Sequence, residues 1–135
     1  VLNGTHSEWA DVTSSVVHGS ILGPILFTVF INDLDLSISA SHGVVISKYA
    51  DDTKLGREIA LEQHCHKLQH ALNELVEWSN EWGMELHAEK TTVVHFGRTN
   101  PEFVYTINGV PLNTTEAARD LGVKIRNDCD SSLHV

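Results

Sequence analysis

Residues 44–55 read Val-Val-Ile-Ser-Lys-Tyr-Ala-Asp-Asp-Thr-Lys-Leu, a β-branched run that leads into two adjacent carboxylates. This run, bounded by Gly43 and Asp51-Asp52, predicts a buried strand over 44–49. Neighbouring residues of a strand face opposite sides, but a tight turn at the Asp-Asp pair would bring both side chains toward one site. Two like charges at such a site favour a cation between them, and Mg²⁺ commonly takes one or two carboxylates with water and substrate phosphates. The dipeptide alone is more typical of a solvated turn than of a metal site, and it is the sequence context that favours the metal site.

Two helices are predicted around this strand. Apolar residues at three- and four-residue steps predict a first helix that Ser20 caps and that fades over 39–43. The same periodicity predicts a second helix over 58–81, and Gly83 is a suitable residue to end it.

Three further strand signals follow the second helix. Residues 91–96 and 121–125 are rich in β-branched and apolar residues, which predicts a strand in each. Asn108-Gly109 lies between two short apolar runs and predicts a hairpin with a type I′ turn. The order helix, strand, helix, strand, hairpin, strand predicts an α+β fold, in which a mainly antiparallel sheet packs on two helices.

Composition limits the class of protein. The chain has 135 residues, of which 41% are hydrophobic and 20% charged, and this balance predicts one globular domain. Nine Lys and Arg stand against 18 Asp and Glu, and the formal net charge of −9 argues against a free-standing nucleic-acid binder. Two cysteines are too few for a disulfide framework, and no apolar run approaches the ~20 residues of a membrane span. The first residue is Val, which suggests a piece of a longer protein.

Four blocks of sequence, in order, resemble the reverse transcriptase of non-LTR (LINE-like) retrotransposons. With Ala50 between Tyr49 and Asp51, the second of these blocks resembles the corresponding block of the jockey and CR1 types of these enzymes. Each block is weak evidence alone, whereas four in the family's order are specific. The blocks are 19–27 with 31–34 (motif B), 49–55 (motif C), 78–84 with 89–91 (motif D) and 120–123 (motif E).

The resemblance implies a partial polymerase palm and RNA-directed DNA polymerase (nucleotidyltransferase) chemistry. Asp51 and Asp52 match the catalytic carboxylates, which hold two Mg²⁺ ions in the complete enzyme. Lys90 matches the motif D lysine, a candidate to protonate or stabilise the leaving group, although a solvated surface lysine is an equal alternative. The implied partners are an RNA template, a DNA primer and dNTPs, with no membrane.

The resemblance also implies a set of substrate-binding residues. Tyr49 and Ala50 match positions beside the primer end and the nucleotide. Gly19 and Ser20 match the motif B entry, where a missing side chain lets the backbone approach the template and the nucleotide closely. His18 stands where the family usually has Gln, and a neutral His offers one donor and one acceptor on a rigid ring.

The chain departs from the family pattern in two respects. Ser15 and Val17, like His18, replace the usual motif B residues, and no motif A aspartate is recognised in 1–17. We therefore expect residues 1–135 to be a partial reverse-transcriptase domain, spanning motifs B to E without motif A or fingers. A fragment with two of three carboxylates is expected to be inactive alone.

Two alternatives from other classes remain open. The first is a non-catalytic relic of a decayed retroelement, with at most a structural or interaction role. The second is a small metal-binding domain, because His66 and His70, four residues apart on one helix, would share one face. The tryptophans could stack on bases, but the positions of Trp78 and Trp82 favour packing in the core.

Overall fold

A computed structural model describes residues 19–38 and 42–128 of the chain. It divides into two compact units, Val1–Asn32 and Asp33–Val135. The first unit contains helix α1, Leu22–Asn32. The Ser20 hydroxyl accepts a hydrogen bond from the Gly23 N–H at 2.9 Å, so Ser20 caps this helix as predicted.

The predicted first helix is interrupted at Asp33. The second unit opens with a short helix α2, Leu34–Ser37. The Asp33 carbonyl accepts hydrogen bonds from the N–H groups of Leu36 at 3.0 Å and Ser37 at 3.2 Å, so a new turn begins there. The prediction of one continuous helix was therefore wrong at this point.

Helix α3, Glu62–Glu81, is the main helix of the second unit. It begins later than predicted, because Leu61 has an extended backbone with φ −139° and ψ 153°, which ends the non-helical segment directly before Glu62. Its end is confirmed: Gly83 takes a φ of 66°, and Met84 donates its N–H to the Ser79 carbonyl at 2.8 Å. Within 19–38 and 42–128, no helix is both long and apolar enough to cross a membrane.

The described strands form four two-stranded pairs. Three of the pairs are antiparallel and one is parallel, and a one-turn 3₁₀ helix, Ala88–Lys90, precedes the strand that begins at Thr92. The mixed α+β class is confirmed, with separate pairs in place of one continuous sheet. The antiparallel pairs are β1 Val45–Tyr49 with β2 Asp52–Gly56, β4 Thr106–Ile107 with β5 Val110–Pro111, and β7 Ala117–Asp120 with β8 Val123–Arg126, and the parallel pair is β3 Thr92–Val93 with β6 Asn113–Thr114.

The predicted strands differ in extent from the observed ones. Strand β1 alternates between exposed and half-buried residues, so it is not the fully buried strand expected from its composition. The strand predicted over 91–96 is reduced to Thr92–Val93. The hairpin at Asn108-Gly109 is confirmed, and its two residues have φ values of 51° and 76°, as a type I′ turn requires.

The core lies between α3 and the β4–β5 hairpin. Trp78 is buried as predicted, whereas Trp82 is 48% exposed, so the core prediction was wrong for that residue. The Gln69 side chain joins helix to hairpin, because its amide both donates to the Thr106 carbonyl and accepts from the Thr106 N–H, each at 2.9 Å. The buried cluster comprises Cys65, Leu72, Tyr105, Ile107 and Leu112.

Candidate active site

The two carboxylates lie at the tip of the β1–β2 hairpin. Tyr49 pairs with Asp52 in the register, which leaves Ala50 and Asp51 as a two-residue loop. Ala50 has a φ of 51°, a left-handed conformation that costs a residue with a Cβ more than it costs Gly. Asp51 and Asp52 are both exposed. The tight turn predicted for this pair therefore exists, one residue earlier in the chain.

The β1–β2 hairpin packs against the rest of its unit through the face opposite its exposed side chains. Ile46, Thr53 and Leu55 are half-buried, and β2 contacts α3. Lys48 donates to the Asp35 carboxylate at 2.9 Å, which joins β1 to α2. The strands are anchored while the acidic tip, with both carboxylates, remains open to solvent.

A second lysine connects the hairpin to another element. Lys54 of β2 forms an ion pair with Asp120 of β7, and the two side chains are 40% and 26% exposed. Sequence reasoning missed this contact. The partners are 66 residues apart, and nothing in their spacing indicates that they meet.

Lys90 lies on the 3₁₀ turn and is exposed. The turn is fixed by two contacts: Thr91 donates its hydroxyl to the His87 carbonyl at 2.9 Å, and Asn113 donates its amide to the Glu89 carbonyl at 3.4 Å. The backbone around Lys90 is thus ordered while its ammonium faces solvent.

The predicted motif B residues belong to the first unit. Gly19 has a φ of 80°, which a residue with a Cβ rarely adopts. Ser20 uses its hydroxyl oxygen to cap α1 and retains its proton as a donor. His18 lies outside the described residues.

The donor set at the hairpin tip fits a hard divalent cation. Two adjacent, exposed carboxylates match the one or two that Mg²⁺ takes when water and phosphate complete its shell. Within the described ranges, no group of three or more His, Cys, Asp or Glu side chains is arranged to hold a metal ion. The carboxylates at this tip that could hold such an ion are those of Asp51 and Asp52.

The two histidines of the alternative metal site have different partners. The His66 ring packs edge-on against Phe103 with centroids 5.2 Å apart, whereas the His70 ring stacks on His42 at 5.9 Å. His42 in turn contacts the Glu74 carboxylate at 3.1 Å. These contacts give both rings structural partners, which favours packing over metal binding.

Comparison with known proteins identifies the family. Residues 1–125 match the family model described as reverse transcriptase (RNA-dependent DNA polymerase). The chain is 28% identical over 140 residues to the RNA-directed DNA polymerase from mobile element jockey of Drosophila melanogaster, covering 99% of this chain and 15% of that protein. The jockey polymerase of Drosophila funebris is 28% identical over 139 residues, covering 98% and 15%.

A third relative has a related description. The probable RNA-directed DNA polymerase from transposon X-element of Drosophila melanogaster is 28% identical over 129 residues, covering 93% of this chain and 14% of that protein. The chain thus spans about 15% of the length of the curated relatives it matches. No solved structure matches it significantly. Since the family model covers nearly the whole sequence, the chain belongs to the reverse transcriptase (RNA-dependent DNA polymerase) family, and its relatives are polymerases of non-LTR retrotransposons.

Proposed function

We propose that this chain supplies the catalytic hairpin of an RNA-directed DNA polymerase that adds dNTPs to a primer 3′-hydroxyl. The observation that carries the proposal is the exposed Asp51-Asp52 pair at the tip of an anchored hairpin, in a chain of the reverse transcriptase family. Residues 1–135 form, in this proposal, a partial palm that spans motifs B to E. An RNA template and a DNA primer are the proposed partners.

Asp51 and Asp52 are the proposed ligands of two Mg²⁺ ions. When bound, such ions activate the attacking hydroxyl and stabilise the leaving pyrophosphate. The carboxylates provide the negative charge that the ions need, and their exposure leaves room for substrate phosphates. The proposal assigns metal binding to both aspartates, with Asp51 the firmer ligand.

The other site residues act on the substrates. Tyr49, opposite Asp52 in the register and 63% exposed, offers a ring beside the carboxylates for the primer end, and Ala50 follows it in the loop. Lys90 is proposed to protonate or neutralise the leaving group with its exposed ammonium. Gly19, Ser20 and His18 are proposed to position template and nucleotide.

On its own, the chain is proposed to be inactive. The described residues provide two carboxylates where the family mechanism uses three, and the net charge of −9 repels nucleic acid. The second candidate function, a non-catalytic relic, is favoured by one observation: Ser15, Val17 and His18 depart from the motif B pattern.

Primer extension on the longer reading frame separates these two functions. The transcript upstream of Val1 is sequenced, and any open frame is expressed together with this chain. With Mg²⁺, an RNA template, a DNA primer and dNTPs, we expect extension that Asp51→Asn abolishes and that Glu77→Gln, an exposed acid on α3, leaves unchanged. The 135-residue chain alone should give no extension above background, with or without Asp51→Asn. A stop codon or frameshift upstream, or extension by the longer protein that survives Asp51→Asn, would contradict the polymerase proposal.

A further inference from the structure

The β1–β2 hairpin, which carries Asp51 and Asp52 at its tip and is called the acidic hairpin below, has a lysine on each of its two faces. Each lysine is paired with an aspartate of another element. On the half-buried face, Lys48 pairs with Asp35 of α2. On the opposite face, Lys54 pairs with Asp120, the last residue of β7. Asp120 directly precedes the Leu121-Gly122 turn of the β7–β8 hairpin. The second ion pair therefore joins the acidic hairpin to the tip of another hairpin.

Lys54 is close to the proposed metal ligands along its own strand. It lies two residues after Asp52 in β2, so both side chains leave the same face of the strand. Two residues of strand span about 6.6 Å, and a lysine is a compact charge on a flexible four-carbon stem. A Lys54 ammonium without another partner would thus be within reach of the Asp52 carboxylate.

A cation at that position would compete with a divalent metal. At about 7 Å in water, the electrostatic repulsion between a unit positive charge and a divalent ion corresponds to roughly a five- to tenfold loss of metal affinity. Pairing with Asp120 neutralises the ammonium and holds it toward β7. The side chains of the pair are 40% and 26% exposed, so solvent screens this contact only in part.

We propose that Asp120 is a positioning residue that holds the Lys54 ammonium away from Asp52 and so preserves the metal affinity of the acidic tip. This inference rests on the proposed metal-binding function of Asp51 and Asp52. It assigns a role in the site to a residue 68 positions after Asp52, through a contact that the register of neither hairpin specifies.

The test is a double-mutant cycle read by Mn²⁺ titration of the ¹⁵N-labelled chain, following the broadening of the Asp51 and Asp52 amide signals. Asp120→Asn is expected to weaken Mn²⁺ binding about five- to tenfold. Lys54→Met combined with Asp120→Asn is expected to restore the affinity at least to its original value, because the competing cation is gone. A merely structural contact would make the double variant no better than Asp120→Asn.

Two controls accompany these measurements. Glu116→Gln removes one negative charge just before β7 and is expected to lower the affinity less than twofold, since Glu116 does not hold Lys54. Without metal, Lys54→Met should shift the amide signals of Leu121 and Gly122 more than Lys67→Met, which changes an exposed lysine of α3.

The outcomes distinguish this inference from the proposed function. Equal shifts at Leu121 and Gly122 in the two lysine variants would overturn the inference, whether or not metal binds. Loss of affinity in Asp120→Asn that the second substitution fails to rescue would also overturn it. An original chain that binds no Mn²⁺ at Asp51 and Asp52 would contradict the proposed function, and with it the role assigned to Asp120, even if the shifts confirm the contact between the hairpins.

Discussion

Tyr105 shows how burial changes the chemistry of a single residue in this chain. It is 3% exposed, within the core cluster. Burial, followed by the charge of the neighbouring Cys65 and a hydrogen bond to it, raises the pKa of the phenol above its ordinary value of 10.0. The chain has one other tyrosine, Tyr49, which is 63% exposed at the acidic hairpin. The two tyrosines therefore provide a matched pair of buried and exposed phenols.

The raised pKa of Tyr105 makes the stability of the chain sensitive to alkaline pH. Since the folded state keeps the phenol protonated, the stabilisation is complete below pH 10, the ordinary value, and is lost as the pH rises above it. We expect the free energy of unfolding to fall between about pH 9 and 11, and to fall less in Tyr105→Phe than in Tyr49→Phe. Denaturant melts at the two pH values measure this difference. A pH dependence that Tyr49→Phe removes instead would contradict the assignment.

Among the elements, helix α3 and strand β4 share the buried cluster and are also joined by hydrogen bonds from one side chain. The Gln69 amide makes the two backbone hydrogen bonds that a neighbouring strand would otherwise make to Thr106. It bonds both the N–H and the carbonyl of that residue, each at 2.9 Å. It also donates to Asn73 on its own helix at 2.9 Å. Strand β4 has only two residues and pairs with β5, so this contact fixes its position against the helix.

Removal of the Gln69 amide is expected to leave the half-buried backbone groups of Thr106 without partners. We expect Gln69→Ala to lower the free energy of unfolding by about 1–3 kcal/mol. Gln63→Ala, on an exposed position of the same helix, is the control and should change it by less than about 0.5 kcal/mol. Chemical denaturation of the three proteins gives both values, and equal effects of the two substitutions would refute this role for Gln69.

The elements that the sequence predicts well carry strong local signals. Asn108-Gly109 takes the left-handed conformation at both residues, and Gly83 ends α3, since these residue types tolerate positive φ. Leu121-Gly122 also forms a hairpin turn, with φ values of 47° and 88°. It was predicted as part of a strand because Leu rarely adopts that conformation and so gives no turn signal.

In the candidate site, too, local features could be predicted from the sequence and long-range contacts could not. The acidic tip was predictable because adjacent aspartates after a β-branched run give a local signal, reinforced by the family motif. The pairing of Lys54 with Asp120 was not predictable, because it depends on how two hairpins meet across 66 residues of sequence. The bond from Gln69 to Thr106 is equally non-local, at 37 residues. Contacts of this kind come from tertiary packing, which periodicity does not encode.

For the whole molecule, the exposed apolar surface is the main physical consideration. Helix α1 presents an apolar face with large exposed fractions, 57% for Ile25 and 67% for Val29. Leu22 and Leu26, on the same helix, are also more than half exposed. Contiguous apolar patches on a protein surface favour association with another surface. The net charge of −9 opposes association but does not remove the patch.

We therefore expect the isolated chain to self-associate. Substitution of Ile25→Lys with Val29→Glu should shift it toward the monomer in sedimentation velocity, because charges replace the apolar contact surface. Thr28→Lys, which adds a charge at an exposed polar position of the same helix, is the control and should have little effect. A monodisperse monomer with a sharp, cooperative thermal transition in the unsubstituted chain would contradict this expectation.

The proposed polymerase chemistry depends on a divalent-metal site formed by Asp51 and Asp52 at the tip of the β1–β2 hairpin. Mn²⁺ titration of the ¹⁵N-labelled chain tests it most directly, since Mn²⁺ replaces Mg²⁺ at oxygen ligands and broadens nearby amide signals. We expect weak binding, on the order of 1 mM, that broadens the signals of Tyr49 to Thr53 first. This binding should be lost in Asp51→Asn but kept in Glu77→Gln. Broadening centred elsewhere, or equal in the two variants, would contradict it.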